Sequence, residues 1–345
     1  MIYVDLTGLC DRKWTGVEKY ADTLFSMLIR RFGVQNVVGL KVGLKSEEGS
    51  LFLGKNRGRI VTEYFYLPRF IKQHPQDTVI FPVFPPSERC WRYSKKLIPV
   101  IHDAVPWKFQ HTLSLKARLV IVPRMKKALK SAKKIITVSE TAKKELTALN
   151  PTADVVVIYN AFGLVQKKDI FDRLKIEKKQ YLLSVSTLEP RKNFPYLLKV
   201  ADILFDFFPD VKLVIVGRIG WGKISYVPRH KDNFVFTGYI SDEDLQRLYR
   251  EAKLFVTLPI DEGFGRTPVE AALHKIPVAV SDIPIFHEVL GVECFYLPLG
   301  DERKCAFLLE KYLRCKSLKT PKLSFFDRFS VDVVSEQIPD DLFVF

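Results

Sequence analysis

Short apolar runs alternate with amphipathic stretches along the second half of the chain. The runs that predict strands are residues 181–187, 211–217, 233–238, 254–259 and 277–282. Residues 194–208 and 241–252 lie between these runs and repeat their apolar positions with helical spacing. Ser241 is placed to cap the second of these helices. Strands that alternate with helices predict βαβ units and a parallel sheet.

The first half of the chain follows the same alternation less regularly. Its predicted strands are residues 2–6, 77–81, 97–101, 134–138 and 154–159. Residues 15–32 predict an amphipathic helix, and residues 116–134 predict a second one that is strongly basic. Both halves therefore predict the same class of α/β architecture.

Two such halves predict an α/β protein with two Rossmann-like domains that face an interdomain cleft. We expect one Rossmann-like domain over residues 1–165 and a second over residues 166–325, joined near residues 160–179. Residues 326–345 are a short tail that we expect to pack back across the domains. Because ligands bind beyond the carboxyl ends of parallel strands, residues at those ends are the candidates for a functional site.

The composition is that of a globular protein. Hydrophobic residues make up 47% of the 345 and charged residues 27%, which excludes disordered, collagen-like and disulfide-rich classes. No apolar run approaches the roughly 18 residues that span a bilayer, and no signal-peptide pattern is visible, so we expect a cytoplasmic protein. Five cysteines without a CxxC pair favour buried thiols over disulfides or a zinc ribbon: Cys10, Cys90, Cys294, Cys305 and Cys315.

The net charge of +15 is concentrated in the first half. Residues 1–165 carry 27 Lys and Arg against 13 Asp and Glu, whereas residues 166–345 carry 27 against 26. An excess of +14 on one half indicates an anionic partner for that half. Nucleic acid, acidic lipid and a phosphorylated substrate are all compatible with this observation.

The segment DEGFGRTPVE, residues 261–270, directly follows a predicted strand. Gly263 and Gly265 would let the backbone approach a ligand closely. Glu262 precedes these glycines at the end of a strand, and we expect a carboxylate in this position to face a ligand.

The same segment predicts the start of a helix. Thr267 followed by Pro268 and Glu270 has the pattern of a capping box. The first N–H groups of such a helix can bind a phosphate. Capping alone would account for Glu270 equally well.

Arg191 and Lys192 lie in the segment STLEPRKN, residues 186–193, between a predicted strand and the next helix. Two cations at this end of a parallel strand could neutralise a diphosphate. A solvated basic turn has the same sequence pattern, and the position at the strand end is what favours a functional role.

Two further candidates lie at strand ends in the first half. His102 ends the predicted strand 97–101 and could hydrogen-bond a substrate hydroxyl, although a capping Asp103 beside a half-buried histidine is the simpler alternative. Gly16 lies within a second capping-box pattern and would let a helix N-terminus touch a phosphate. Plain capping explains this pattern too, and the missing GxGxxG argues against a dinucleotide site.

Together these segments resemble glycosyltransferase family 4, a family of retaining, nucleotide-sugar-dependent enzymes of the GT-B fold. The segment EGFGRTPVEA, with Glu262 and Glu270, is similar to the family's E-x7-E motif. The resemblance extends in order to STLEPRKN, LVIVGRIGW, VFTGYISDEDLQRLY and IPVAVSDIPIFHEV, and in the first half to TGVEKY, VIHDAVPW and KKIITVSETAKKEL. It covers most of residues 1–290, and it implies that the domain of residues 1–165 binds the acceptor and that the domain of residues 166–325 binds the nucleotide sugar.

The resemblance implies roles for the matching residues. Lys192 would contact the donor diphosphate, and His102 and Glu262 would lie at the donor sugar as the other catalytic residues. The implied donor-binding residues are Gly16, Arg191, Gly238, Tyr239, Ile240, Gly263, Phe264, Gly265, Arg266 and Glu270.

Within the donor-binding set, Glu270 would bind the ribose hydroxyls, and residues 238–240 would hold the base through their backbone. Many family members have an arginine where this chain has Ser186. Arg191, Arg218 and Arg266 are all candidates to replace it.

The implied reaction moves a hexose from a nucleotide diphosphate sugar to an acceptor hydroxyl and keeps the anomeric configuration. It would serve the assembly of a bacterial-type cell-surface polysaccharide or glycolipid. No cofactor is expected, and no metal, because the histidines lack metal-ligand spacing.

Three other classes are compatible with parts of the sequence. A nucleic-acid-binding protein would explain the basic half, but the basic residues are not interleaved with stacking aromatics, so we expect no nucleic-acid partner. A nicotinamide-dependent oxidoreductase would need a glycine fingerprint after the first strand, which is missing. A non-catalytic relative that binds nucleotide sugar is the third alternative.

The basic stretch 116–134 suggests that the protein is peripheral on the inner face of an anionic membrane, with a lipid-linked or saccharide acceptor. Its expected apolar face is Leu119, Val122, Met125, Leu129 and Ala132. Its expected polar face is Lys116, Arg118, Arg124, Lys126, Lys127, Lys130, Lys133 and Lys134. A basic amphipathic helix lies in the membrane interface when its apolar face is free. The alternative is that this face packs on the sheet.

Overall fold

The computed structural model describes residues 1–9, 14–43, 49–163, 180–221, 226–315 and 317–344. The chain divides into two compact units. The first comprises Met1–Gln110, Leu115–Gly163 and Arg328–Phe345, and the second comprises His111–Ser114 and Leu164–Asp327. The expected domain boundary at residue 165 and most of the joining stretch 160–179 lie outside the described residues.

Parallel strands form the centre of the first unit. They are β1 (Ile2–Asp5), β2 (Val37–Lys41), β3 (Ser50–Phe52), β4 (Thr78–Phe81), β5 (Leu97–Pro99), β6 (Lys134–Thr137) and β7 (Asp154–Val157). The first five form one sheet in the order β3-β2-β1-β4-β5, and β6 and β7 form a two-stranded sheet that an isolated parallel bridge from Ile136 to Val100 connects to it. The strand order therefore reverses between β1 and β4.

Helices connect these strands. They are α1 (Gly16–Phe32), α2 (Arg59–Val61), α3 (Leu67–Gln73), α4 (Glu88–Trp91), α5 (Val105–Lys108), α6 (Val122–Ser131) and α7 (Glu140–Leu149), with π-helical turns at Thr62–Tyr66 and Ala117–Ile121. α1 begins as the sequence predicts, because the Glu18 carboxylate accepts a hydrogen bond of 2.9 Å from the N–H of its N-cap residue Thr15. Leu24 and Leu28 on its inner face are fully buried.

The basic stretch 116–134 is not the single helix that the sequence predicts. A π-helical turn precedes α6, and Lys134 belongs to β6. Val122 and Leu129 are buried, whereas Leu119, expected on the same face, is 69% exposed. The wider turn changes the register of the side chains ahead of Val122, so one periodicity cannot describe the whole stretch.

Arg124 is also placed differently from its expected position on the polar face. It is buried, and its guanidinium donates to the Glu63 carboxylate at 2.5 Å and to the Tyr64 hydroxyl at 2.9 Å. A guanidinium is buried at acceptable cost only when it is paired in this way. Lys116, Arg118, Lys126, Lys127, Lys130 and Lys133 are exposed as expected.

A second parallel sheet forms the centre of the second unit. Its strands are β8 (Tyr181–Val185), β9 (Lys212–Val216), β10 (Phe234–Gly238), β11 (Leu254–Thr257), β12 (Val278–Ser281) and β13 (Phe295–Leu297). They lie in the order β10-β9-β8-β11-β12-β13, so the order reverses between β8 and β11. The predicted strands of both halves are confirmed, whereas β2, β3 and β13 were not predicted.

The helices of the second unit are α8 (Phe194–Leu204), α9 (Asp242–Glu251), α10 (Arg266–Leu273), α11 (Pro284–Leu290) and α12 (Glu302–Leu313). Ser241 caps α9 as predicted, since its hydroxyl accepts from the Asp244 N–H at 3.0 Å. Leu197 and Leu204 of α8 and Leu309 of α12 are buried in one core with the apolar strands. Parallel strands that are buried on both faces explain the continuous apolar runs of the sequence.

The last part of the chain returns to the first unit through α13 (Val331–Glu336). Arg30 of α1 pairs with Asp332 at 2.7 Å, and the N–H of Phe162 donates to the Phe329 carbonyl at 2.9 Å. These contacts fix the tail on α1 and on the end of the first sequence half.

Four cysteine thiols lie among the described residues, and none is in a disulfide. Cys90 and Cys305 are buried as expected, Cys294 is half-buried, and Cys315 is exposed, contrary to expectation. Cys10 lies outside the described residues. None of the helices within the described ranges is long and apolar enough to cross a bilayer.

Candidate functional site

The candidate residues of the second unit meet where its strand order reverses. Arg191 and Lys192 follow β8, and Glu262 follows β11, the neighbouring strand. A reversal of strand order leaves a crevice beyond the carboxyl ends of the two strands, because the connections lead away on opposite sides. The fold therefore brings together residues of two motifs that are distant in the sequence.

An ion cluster occupies this crevice. The Lys192 ammonium donates to Glu262 Oε1, and Arg191 Nη1 donates to Glu262 Oε2 at 2.9 Å. Arg191 Nη2 donates to Glu189 Oε1 at 3.0 Å. The four charges compensate one another, so Lys192 is a paired cation rather than a solvated one.

The two loops are also joined through the backbone. The Ile260 N–H donates to the Arg191 carbonyl at 3.0 Å, and Arg191 Nη1 donates to the Asp261 carbonyl at 2.9 Å. Asn193 follows in a left-handed conformation with φ 54° and starts α8. These bonds hold Arg191 and Lys192 against the loop that carries Glu262.

Glu262 stays ionised in this setting. Burial by itself would raise the pKa of its carboxyl, but the charges and hydrogen bonds of Lys192 and Arg191 outweigh it and hold the pKa below its usual value. Another anion that enters the crevice can compete with the Glu262 carboxylate for these two cations. The cluster can therefore present two positive charges to a diphosphate that enters the crevice.

The start of α10 differs from its predicted capping box. The helix begins at Arg266, with Gly265 as its N-cap residue at φ 81° and ψ 57°, and Thr267 already lies inside it. A Cβ on Gly265 would come within 2.5 Å of Phe286, so both the backbone conformation and the space require glycine. The helix N-terminus accordingly starts beside Glu262 without a side-chain cap.

Glu270 is oriented by two neighbours rather than by a cap. Its Oε2 accepts from the Tyr249 hydroxyl at 3.2 Å, and its Oε1 accepts from Arg266 Nη2 at 3.4 Å. Tyr249 is fully buried in α9, where its ring stacks on His274 at 5.0 Å. The sequence reasoning missed Tyr249, because an aromatic residue on a helix face signals only a core position.

The remaining candidates of this unit lie at the same carboxyl edge. Gly238 ends β10 at φ 68°, two strands from β8, and Tyr239 after it is 43% exposed. Ile240 is half-buried, and Phe264 between the two glycines of its loop is buried. Arg218 follows β9 and is exposed, so of the three candidate arginines Arg191 is the one in the ion cluster.

Gly16 and His102 belong to the first unit, where α1, the helix that Gly16 begins, contacts His102. The ring of Tyr20, one turn after Gly16, packs edge-on against the His102 imidazole, with 5.1 Å between the ring centroids. His102 Nε2 lies 2.9 Å from the Pro82 carbonyl and must donate to it. Burial lowers the pKa of His102, so the neutral ring keeps a lone pair on Nδ1 that can accept from a hydroxyl.

No group of three or more His, Cys, Asp or Glu side chains is placed to hold a metal ion among the described residues. Among the described residues of the second unit's crevice, Arg191 and Lys192 are side chains that could bind an anionic group.

Two family models match the chain in succession. The model described as Glycosyltransferase Family 4 matches residues 14–164, and the model described as Glycosyl transferases group 1 matches residues 165–313. Together they cover most of the chain.

Curated relatives match the chain over part of their length. The O-antigen chain mannosyltransferase RfbU of Salmonella typhimurium is 32% identical over 209 residues, which is 59% of this chain and 57% of the relative. The serotype-specific mannosyltransferase WbdA of Escherichia coli is 33% identical over 137 residues, 38% of this chain and 17% of that protein. The chain thus spans less than two thirds of each relative.

Solved structures match nearly the whole chain. Sucrose-phosphate synthase from Thermosynechococcus elongatus superposes with a TM-score of 0.73 at 15% identity and covers 98% of this chain and 96% of its own. HepE of Anabaena, solved in complex with UDP and glucose, gives a TM-score of 0.66 at 16% identity, with 98% and 97% covered. At such identities the likeness shows the fold alone.

Proposed function

Because the chain belongs to the glycosyltransferases of the GT-B fold, with a family 4 domain followed by a group 1 domain, we propose that it transfers a hexose from a nucleotide diphosphate sugar to an acceptor hydroxyl. The observation that carries the proposal is the cluster of Lys192, Arg191 and Glu262 where the strand order reverses. Relatives that are named mannosyltransferases favour mannose as the sugar and a cell-surface polysaccharide as the product.

The proposed transfer keeps the anomeric configuration. The bond between the sugar C1 and the diphosphate oxygen breaks, and its electrons leave with the diphosphate. The acceptor oxygen bonds to C1 on the same face, and its proton passes to the leaving phosphate oxygen. Lys192 and Arg191 would stabilise the charge that develops on the diphosphate, which is where electrostatic catalysis acts most strongly.

The other donor contacts in the proposal follow the family resemblance. Glu270 would bind the ribose hydroxyls, residues 238–240 the base, and the backbone of residues 263–265 the sugar. Gly16 would lie at the diphosphate and His102 at the donor sugar. The partly buried hydrogen bond from the Tyr249 hydroxyl supports the ribose role, because it orients a carboxylate that does not cap a helix.

A thermal-shift screen with UDP, GDP, dTDP and their hexose conjugates tests the proposal directly. A ligand that binds the native state alone raises Tm, so one nucleotide family should stabilise the protein. The stabilising conjugate is then assayed for transfer to saccharide and lipid-linked acceptors. If none of the nucleotides or conjugates shifts Tm at millimolar concentration, the proposed function is wrong.

Transfer should persist in EDTA at no less than about half the rate in Mg²⁺, because Lys192 and Arg191 can supply the charge that the leaving diphosphate needs. The measurement compares initial rates after dialysis against EDTA with rates after MgCl₂ is added back. A loss of activity that metal restores would show that the diphosphate leaves with a bound cation.

We also propose that the first unit binds anionic membranes from the cytoplasmic side. Six basic side chains between residues 116 and 133 are exposed, and the apolar residues Leu115, Leu119 and Val120 are exposed beside them. Each cation near an anionic surface contributes about 1 kcal/mol. The buried Val122 and Leu129 confine the apolar contact to the residues before α6.

Co-sedimentation with vesicles should show binding to anionic lipid that falls with added salt, and little binding to neutral lipid. Replacing Lys126 and Lys130 with glutamine should weaken it severalfold. The matched control replaces Lys304 and Lys311, two exposed lysines of the second unit, and should bind like the wild type. Equal and negligible binding to both vesicle types at low salt would favour a soluble acceptor.

A further inference from the structure

A groove lies between α8 and α12 in the second unit and shares no lining residue with the ion cluster. Its volume is about 670 Å³, and its apolar lining includes Ile203, Phe207 and Phe307. Ile203 is half-buried, whereas Phe207 is 50% exposed and Phe307 61%. Large apolar side chains that are exposed around one groove mark an interaction surface.

A buried carboxylate fixes one wall of the groove. Asp202 of α8 is 1% exposed, and it accepts from the Tyr226 hydroxyl, which lines the groove, at 2.5 Å. It also accepts from the backbone N–H groups of Arg229 and His230 at 3.0 and 2.9 Å. These bonds hold the segment 226–230 against α8. The groove is therefore formed before any partner binds, which reduces the cost of association.

The charges that line the groove balance one another. The basic residues of the lining are Lys199, Arg229 and Arg303, and the acidic ones are Asp206, Glu302 and Glu310. Lys199 of α8 pairs with Glu302 of α12 at 3.1 Å, and Arg229 pairs with Asp206 at 2.9 Å. Nucleic acid and anionic lipid both require an excess of cations, so this surface does not fit either of them.

Three of the lining residues form a stripe along α12. Arg303, Phe307 and Glu310 are four and then three residues apart, which places them on one face of the helix. Arg303 is exposed, and within the described ranges it makes no ion pair. Glu310 accepts from Arg314 at 2.7 Å through Oε1. The stripe thus has a cation at one end, an aromatic ring in the middle and a carboxylate at the other end.

This stripe is complementary to a copy of itself. A contact between identical subunits about a twofold axis requires a surface that matches itself. If two α12 helices lie antiparallel about an axis at Phe307, the Arg303 of one copy faces the Glu310 of the other, and symmetry repeats the pair. The two phenylalanines then lie at the centre of the contact, where aromatic residues contribute most to binding.

We propose that the groove between α8 and α12 is the contact surface of a symmetric homodimer, in which the α12 helices of the two copies lie antiparallel. With 12 residues α12 is about 18 Å long, so the contact falls at the small end of specific interfaces. We therefore expect a weak dimer with a micromolar Kd that dissociates on dilution. The proposal does not depend on the activity of the ion cluster.

Sedimentation velocity on the full chain, from micromolar to submillimolar concentration, measures the dimer. Phe307→Ser should raise the dimer Kd about tenfold or more, because both copies lose the central aromatic residue. Arg303→Glu should have an effect of similar size, because it places like charges opposite each other at both ends of the contact. Lys304→Glu is the matched control. It makes the same charge change at the neighbouring exposed residue, outside the groove, and should dimerise like the wild type.

A mixing experiment tests whether the partner is a second copy. Glu310→Arg alone should weaken the dimer as Arg303→Glu does. An equimolar mixture of the two variants should associate with nearly the wild-type Kd, since one copy then presents two carboxylates to the two guanidiniums of the other. Each variant should melt within a few degrees of the wild type at low concentration, so that lost association is not lost folding.

Four results would overturn the proposal. The wild type could stay monomeric at submillimolar concentration, or Phe307→Ser could dimerise as tightly as the wild type. Lys304→Glu could lose the dimer together with Arg303→Glu, which would make the effect one of net charge. A mixture of Arg303→Glu and Glu310→Arg that stays monomeric would exclude the antiparallel pairing and favour a different protein as the occupant of the groove.

Discussion

Lys192→Ala is expected to lower kcat/KM for sugar transfer by about 10²–10³ while leaving the fold intact. Lys192 is one of the cations in the crevice, and a positive group aimed at developing charge is worth most as the diphosphate leaves. Because the interaction strengthens in the transition state, most of the loss should appear in kcat. Steady-state kinetics with the stabilising nucleotide sugar measures it.

Lys199→Ala is the matched control for this substitution. Lys199 lies in α8, two turns after Lys192, and pairs with Glu302 at 3.1 Å on the exposed side of the helix. It should retain wild-type kinetics, and both variants should unfold within a few degrees of the wild type. A Lys192→Ala enzyme with near wild-type kcat/KM would mean that the diphosphate binds elsewhere.

The sequence predicted the strands that are long, apolar and followed by helices. It did not predict the edge strands β3 and β13, because a strand of three residues is too short to show the alternation of polar and apolar positions. It did not predict β2, where Gly39 interrupts the apolar run. A side chain there would come within 2.9 Å of Leu6, so packing rather than propensity selects the glycine.

The sequence also pointed to the residues of the ion cluster but not to their pairing. Motif positions at strand ends identified Lys192 and Glu262 independently, since both follow apolar runs. Their ion pair joins residues 70 apart and depends on β8 and β11 being neighbours, which no local pattern encodes. The prediction that Thr267 is the N-cap residue of α10 was wrong for a similar reason. The N-cap residue is Gly265, which has a left-handed conformation, and no side chain caps the helix.

The first unit shows the same limit. Asp5, the last residue of β1, carries no motif in the sequence, and only the fold places this buried carboxylate where the strand order reverses between β1 and β4. Sequence patterns thus find sites that repeat a family's residues. Sites that depend on which strands are neighbours require the fold.

Glu262→Gln is expected to lower the free energy of unfolding by about 3 kcal/mol at pH 7, because it leaves the half-buried Lys192 without its carboxylate. That corresponds to a fall of roughly 6–12 °C in Tm. Glu189→Gln is the control within the same cluster. Arg191 keeps Glu262 as a partner in that variant, so the loss should be about 1 kcal/mol or less.

The difference in unfolding free energy between the wild type and Glu262→Gln should become smaller as the pH falls. The fold holds the pKa of Glu262 below its ordinary value of 4.5, so its contribution to stability is present above that pH and is lost as the pH falls further. Urea unfolding at pH 7 and at pH 4 should therefore show a gap that narrows on acidification. A gap that is unchanged or wider at pH 4 would mean that the charge of Glu262 contributes nothing.

A nucleotide diphosphate should reduce the stability difference between the wild type and Glu262→Gln at pH 7. Its negative charges can take the place of the missing carboxylate beside Lys192 and Arg191, so binding should raise the Tm of Glu262→Gln by more than that of the wild type. Paired thermal scans with and without the stabilising nucleotide measure this difference. Equal Tm increases in the two proteins would place the diphosphate away from the cluster, even if the substitution itself is destabilising.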